Sequence, residues 1–297
     1  SVFSSDNAER PDLILINEHR KAQILKAVIS DPLASPEFEV KFSRPLKVGT
    51  RYQLTAEAAF TTRTKSGAAA ATEAASAVDL DCAVDVLEVN EQGWPKKASV
   101  NILKLVRTTG DKKSEVISSG KIMFAETGKA ATEFKFADGS EIPVETHALL
   151  HQLLPDVVGN GESSRAYEPK TGQKAGEEWA VDAPSAVAAL ARNGTTAKPE
   201  DVTGNAKFAA LKKVNAIDHL DVSVEQEIKN ATISTPPNSK IDSSEMSIRT
   251  TWLLPLEATF RPAETSVMKE KYSYSIGPNK TENERERTIQ IKRTPPK

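Results

Sequence analysis

Two histidines set four residues apart, His147 and His151, are the side chains best spaced for chemistry in this sequence. On a helix, positions four apart share a face, and that spacing can present two imidazoles to one metal ion. A zinc-protease site also needs a glutamate directly after the first histidine. Ala148 stands there instead, and Glu145 lies on the wrong side. His219, with Asp218 beside it, would add ligands only if the fold brought it close, and His19 is far away in the chain. The residue types therefore favour a plain helix flank at His147 and His151, with no metal and no cofactor.

Other reactive groups are sparse. Ser118-Ser119-Gly120 and Ser163-Ser164 lack the G-x-S-x-G frame of a nucleophile elbow. No phosphate loop or dinucleotide fingerprint occurs. Asp79 and Asp81 sit two apart, so on a strand both face the same way, as the wet side of that strand would require. Glu88, Glu91, Asp138 and Glu141 supply the carboxylates a glycoside hydrolase would need, if the fold paired them. Cys82 is the single cysteine, so no disulfide forms within the chain, and its place in an alternating apolar run reads as a small core residue.

The elements that must position these groups are mostly strands. Val78, Leu80, Cys82, Val84 and Val86 alternate with Asp79, Asp81, Ala83 and Asp85, a pattern that a strand with one wet face requires. Phe38, Val40 and Phe42 alternate likewise, as do Leu220, Val222 and Val224, and the series Met246 to Leu254. Ala98, Val100, Ile102 and Lys104 should share one face, with Asn101, Leu103 and Leu105 on the other. Residues 13–30 fit a helix, with Ile24, Leu25, Val28 and Ile29 at helical spacing, or strand–turn–strand, which the β-prone Leu13–Ile16 favours. Residues 66–76 read as an Ala-rich hairpin connection with one helical turn, Pro184–Arg192 as a short Ala-rich stretch, and 277–286 as a polar loop before a last strand at 288–292. Only residues 143–155 give a clear helix, with Pro143 in its first turn, Pro155 ending it, and Leu149, Leu150, Leu153 and Leu154 as its apolar stripe. Turn clusters rather than helices join the strands, which argues for antiparallel pairing.

The bulk figures narrow the function classes. The 297 residues carry 39 basic and 41 acidic side chains, a formal net charge of −2, so the basic footprint of a nucleic-acid binder is missing. Lys292, Arg293 and Lys297 form only a short basic tail. Hydrophobic residues are 38%, below the roughly 45–50% of average globular chains, and no apolar run approaches the ~18 residues of a transmembrane helix. The chain starts at Ser1, which fits a removed signal or lipoprotein leader and fits a trimmed chain equally.

An internal echo gives the layout. Lys47-Val48-Gly49-Thr50-Arg51-Tyr52 resembles Lys174-Ala175-Gly176-Glu177-Glu178-Trp179, and Val84 to Glu88 lines up with Phe208 to Lys212. Leu153-Leu154-Pro155, a polar stretch, and the Lys174 to Trp179 unit together resemble exported, β-rich bacterial proteins with an internal repeat and no assigned activity. That resemblance implies a periplasmic, secreted or lipoprotein location. The doubled β layout is also similar, more distantly, to lipid-binding proteins of the bactericidal/permeability-increasing type.

The expectation is a mainly β (α+β) chain of two similar antiparallel halves with a short helix near their junction. Its segments are an N-terminal stretch 1–36, a first half 37–158, a linker 159–175 and a second half 176–297. The function expected is a non-catalytic binding or scaffold protein of the cell envelope. The alternatives are a carrier of a lipid or other apolar small molecule, and a hydrolase using carboxylates.

Overall fold

The structure is a computed structural model that describes residues 13–16, 22–25, 36–42, 45–128, 132–155, 157–159, 162–192, 195–214, 216–233, 235–257, 260 and 262–296. It divides into two units, residues 1–37 and 38–297. In the first, β1 (Leu13–Ile16) and β2 (Ala22–Leu25) form an antiparallel pair with Leu13 opposite Leu25 and Ile16 opposite Ala22. The strand–turn–strand reading matches these two strands, while the turn at 17–21 and the position of His19 lie outside the described residues.

The second unit is built on one 12-stranded sheet, antiparallel throughout. Its first group of strands is β3 (Arg51–Ser66), β4 (Thr72–Val89), β5 (Pro95–Thr109), β6 (Lys112–Ile117), β7 (Ile122–Thr127) and β8 (Thr132–Phe136). The second is β9 (Glu178–Ala180), β10 (Val202–Val214), β11 (Ile217–Lys229), β12 (Lys240–Pro255), β13 (Ala263–Ile276) and β14 (Asn279–Thr294). Spatially the order is β8-β7-β5-β4-β3-β14-β13-β12-β11-β10-β9, with β6 also on β5. The first and last long strands therefore meet at the centre, and the two groups are hydrogen-bonded into a single sheet through β3 and β14.

One face of the sheet is buried and the other is wet. Leu54, Ala56, Leu80, Cys82, Val100 and Ile102 point inward, as the alternation predicts. The outer face carries opposite charges directly across strand pairs: Arg51 on Asp85 at 2.9 Å, Lys97 on Glu126 at 2.7 Å, Lys207 on Glu178 at 2.8 Å and Arg249 on Glu225 at 2.8 Å. Asp79 belongs to this wet face, paired with Lys104 at 3.1 Å, and Asp81 accepts from Gln53 Nε2 at 2.8 Å. Exposed pairs of this kind contribute a few tenths to about 1 kcal/mol each.

The inner face is covered in separate places. Helix α1 (Val144–Leu153) lays Leu149, Leu150 and Leu153 on the first group of strands, joined by Leu154, Val157 and Val158. Over the second group, Val40 and Phe42 pack on Phe208, Leu220, Val222 and Trp252, with the Phe42 and Trp252 rings edge to face at 5.0 Å. A third apolar cluster gathers Ala186 and Leu190 of helix α2 (Ala183–Arg192) with Ile228, Met246 and Tyr272. A 3-10 helix at Glu162–Tyr167 adds Ala166 to it, and the Tyr167 carbonyl accepts from Trp179 Nε1 at 2.7 Å.

Four local expectations change. The Ala-rich stretch at 66–76 is a hairpin connection as read, but shorter and without a helical turn: β3 runs to Ser66, Gly67 at φ +56° begins the turn, and β4 starts at Thr72. The Ala-rich stretch Pro184–Arg192 belongs to a helix, Ala183–Arg192. In β5 the register shifts between Asp81 and Cys82, so Leu103 is the extra residue of a bulge. That bulge leaves Leu103 exposed, turns Leu105 fully inward and sends Lys104 outward. Finally, 279–286 is strand, not loop.

Candidate functional site

The stretch Glu282-Asn283-Glu284-Arg285-Glu286-Arg287 has no apolar residue, yet it alternates in charge sign with a period of two. In β14 that period puts the glutamates outward, where Glu284 and Glu286 meet Lys271 and Lys269 at 3.2 and 3.4 Å. Asn283, Arg285 and Arg287 are left on the inner face. The register then assembles three rows across the sheet: Phe60–Arg287–Met268–Ile248, Thr62–Arg285–Glu270–Met246 and Thr64–Asn283–Tyr272–Ser244.

These rows lie where the inner-face coverings stop. Phe60 packs at the edge of the first core, and Met268 and Ile248 at the edge of the third. Between them is a slot of about 240 Å³ lined by Phe60, Thr62, Gln152, Met268, Arg285 and Arg287. Gln152 comes from α1, so the end of that helix forms one wall.

The charges in the slot are unevenly matched. Arg285 reaches Glu270 only at 3.8 Å and lies 5.0 Å over the Tyr272 ring. Glu270 is well shielded, its side chain 16% exposed against 46% for Arg285. Arg287 has a poorer partner still. Among the described residues its guanidinium donates to the Met268 sulfur at 3.5 Å and forms no ion pair. Burial pulls the Arg287 guanidinium below its ordinary pKa, and the Glu270 carboxylate acts in the opposite direction. A thioether is a weak acceptor, so most of the five N–H donors of this fork are unmet by protein. Gln152 Oε1 is likewise buried with no partner among the described residues.

A larger groove of about 720 Å³ lies against β9, β10 and β11, lined by Glu178, Asn205, Lys207, Ser223, Glu225 and Glu227. Lys207 there is paired with Glu178, and Glu225 with Arg249 outside the groove, so its one cation is already answered and the lining is acidic. The smaller slot is the better candidate, because it holds unmet charge on the shielded face.

The histidines do come together. His147 and His151 share a contact of 3.3 Å between Nδ1 and Nε2, and both rings pack edge-on against Phe134. His147 Nε2 lies 3.2 Å from the Phe134 carbonyl, an acceptor only, so that nitrogen carries the proton. His147 Nδ1 then accepts from His151 Nε2, leaving His151 Nδ1 as the one ring nitrogen of the pair without a partner among the described residues. His219 stays apart: it is buried and donates from Nδ1 to the Ile217 carbonyl at 2.9 Å. Among the described residues no three His, Cys, Asp or Glu side chains gather in a metal-binding group.

The candidate carboxylates are scattered. Glu88, Glu91 and Glu141 are exposed, and Asp138 is held in its turn by Lys121 and Ser140, which keep its carboxyl well below the usual range. Cys82 is fully buried and burial pushes its thiol far up, as for a core residue.

Sequence reading missed Arg285, Arg287, Glu270 and Gln152. The signal that could have found the arginines is the alternation of charge sign itself, which marks a strand as surely as alternating hydrophobicity does.

No protein-family model matches the sequence. No curated protein matches it either. Among solved structures, a lipovitellin chain described for its lipid–protein interactions aligns at TM-score 0.40 and 7% identity, over 85% of this chain and 26% of that one. This chain thus spans about a quarter of that lipovitellin chain. An outer membrane channel from Pseudomonas putida F1 aligns at TM-score 0.23 and 10% identity, over 87% of this chain and all of that one. Salmonella typhi OmpF in complex with daunomycin aligns at 0.22 and 5%, over 83% and 98%. None of the three is close enough to carry a functional argument. Among the described residues no helix is long and apolar enough to cross a membrane.

Proposed function

We propose that this chain is a non-catalytic binding or scaffold protein of the cell envelope, with the slot between its apolar cores as the binding seat. The observation that carries this reading is Arg287, a half-buried guanidinium whose one acceptor among the described residues is a thioether. Such a group exchanges no proton near neutral pH, so its chemistry is to hold an acceptor in place. The continuous sheet supplies the rigid support, since Arg287 is hydrogen-bonded in register to strands on both sides.

The doubled layout supports the scaffold reading. Gly49 N–H donates to Val86 O at 2.8 Å and Val86 N–H to Thr50 O at 2.9 Å. Gly176 N–H donates to Phe208 O at 2.7 Å and Phe208 N–H to Glu177 O at 3.0 Å, the same exchange in the second group, which sets Phe208 against Val86, two residues on from the Val84 of the sequence alignment. We infer a duplicated unit from this match. The envelope location rests on the resemblance of the layout to exported β-rich proteins, and cell fractionation tests it.

A second reading, a carrier for an amphipathic molecule, has Phe60 and Met268 beside Arg287 in its favour. Native mass spectrometry of the full chain purified from its source tests the binding claim. A small-molecule adduct on the wild type that Arg287→Met loses is the expected result. No adduct, or an equal adduct on both proteins, would overturn it.

A further inference from the structure

We propose that the seat between Arg285 and Arg287 recognises a phosphate group, either free or as the head of a lipid; this rests on the slot being the binding seat. The slot carries two guanidiniums and one shielded carboxylate, so its net charge is +1 and an anion balances it. Glu286 also reaches the rim, but it is paired with Lys269. Arg285 and Arg287 stand two residues apart on one strand, about 6.8 Å along it, so one tetrahedral oxyanion lies within reach of both forks.

Size argues for a head group. At roughly 30 Å³ per water, about 240 Å³ holds some eight waters, less than the ~300 Å³ at which drug-sized pockets begin. Chemistry narrows the anion further. Gln152 Oε1 is a buried acceptor in want of a donor, and hydrogen phosphate brings an O–H where a carboxylate brings none. Phe60 and Met268 supply apolar flanks for the first carbons of an attached chain. Arg285 is half exposed and only loosely tied to Glu270, so it is free to swing onto the ligand.

The test is calorimetric titration of the full chain with sodium phosphate and with dihexanoyl phosphatidate below its micelle concentration, at constant ionic strength set with chloride. Saturable binding is expected, lost in Arg287→Met, weakened at least tenfold in Arg287→Lys, and strengthened several-fold in Glu270→Gln. Circular dichroism and a cooperative melt show that each variant is folded. If phosphatidate binds tenfold more tightly than phosphate, the source is a lipid head; equal affinities point to the free ion. Binding no stronger than that of chloride, or equal in wild type and Arg287→Met, would overturn the proposal as an adventitious ion only. If native mass spectrometry then still found an Arg287-dependent adduct without phosphorus, the phosphate claim alone would fall. If it found none, the binding seat would fall with it.

Discussion

Replacing Arg287 by methionine should make the protein more stable. Methionine reaches about as far as arginine and would extend the apolar row from Phe60 to Met268 and Ile248, which already borders two cores. The wild type keeps guanidinium donors in this place with one sulfur acceptor among the described residues. A buried donor left unmet costs about 1–3 kcal/mol, and half-burial trims that to about 1–2 kcal/mol. The sheet unit runs from residue 38 to 297, that is 297 − 37 = 260 residues. For a domain near that size 1 kcal/mol moves Tm by about 2–4 °C, so a rise of about 2–8 °C is expected. Urea unfolding should show a higher midpoint at an unchanged slope. A midpoint lower by the equivalent of about 1 kcal/mol or more would refute the reasoning, because the guanidinium would then be a structural contact and not a charge held in reserve.

Four further predictions follow from the geometry. Burial and the neighbouring His147 hold His151 below the ordinary histidine value of 6.5, so the unfolded chain takes up the proton first. Stability should be full above about pH 6.5 and fall as the pH drops toward 5, with urea midpoints of His151→Gln showing a shallower fall; a wild type that gains stability on acidification would contradict this. Glu57 and Gln290 pair across the central strands, so Glu57→Cys with Gln290→Cys should oxidise to an intramolecular disulfide, seen as a mass loss of about two hydrogens, whereas a one-residue offset partner should not. Gly204→Ala would set its Cβ 2.6 Å from the Glu225 carbonyl oxygen, and calorimetry should show a loss of about 1–3 kcal/mol; a neutral change would mean that β10 and β11 are spaced more widely than described. Cys82 should ignore a thiol reagent in the native protein and react once in denaturant, since it is fully buried; prompt native labelling would place it elsewhere.

The sheet was readable where apolar and polar residues alternate, because burial on one face leaves that imprint directly. Val78 to Val86 and Met246 to Leu254 lie in strands facing as their pattern requires. The bulge at Leu103 was not readable, since an inserted residue has no compositional mark and only the partner strand reveals it. Helix α2 was hidden because its Ala-rich stretch is short and its stability comes from docking Ala186 and Leu190 on the third core. The candidate slot was illegible for a deeper reason. It forms where Phe60 and Arg287, 227 positions apart, stand opposite each other, and that pairing is a property of the assembled sheet. His147 and His151, close in sequence, were correctly read as neighbours on one helix face, for the opposite reason.

The most direct measurement is a crystal of the full chain soaked in arsenate, an anion with the shape and the protonation of phosphate whose arsenic scatters anomalously. The account requires an anomalous peak within hydrogen-bonding reach of the Arg287 and Arg285 guanidiniums, absent from Arg287→Met crystals. A peak confined to surface lysines such as Lys207, with the slot left to water, would contradict it.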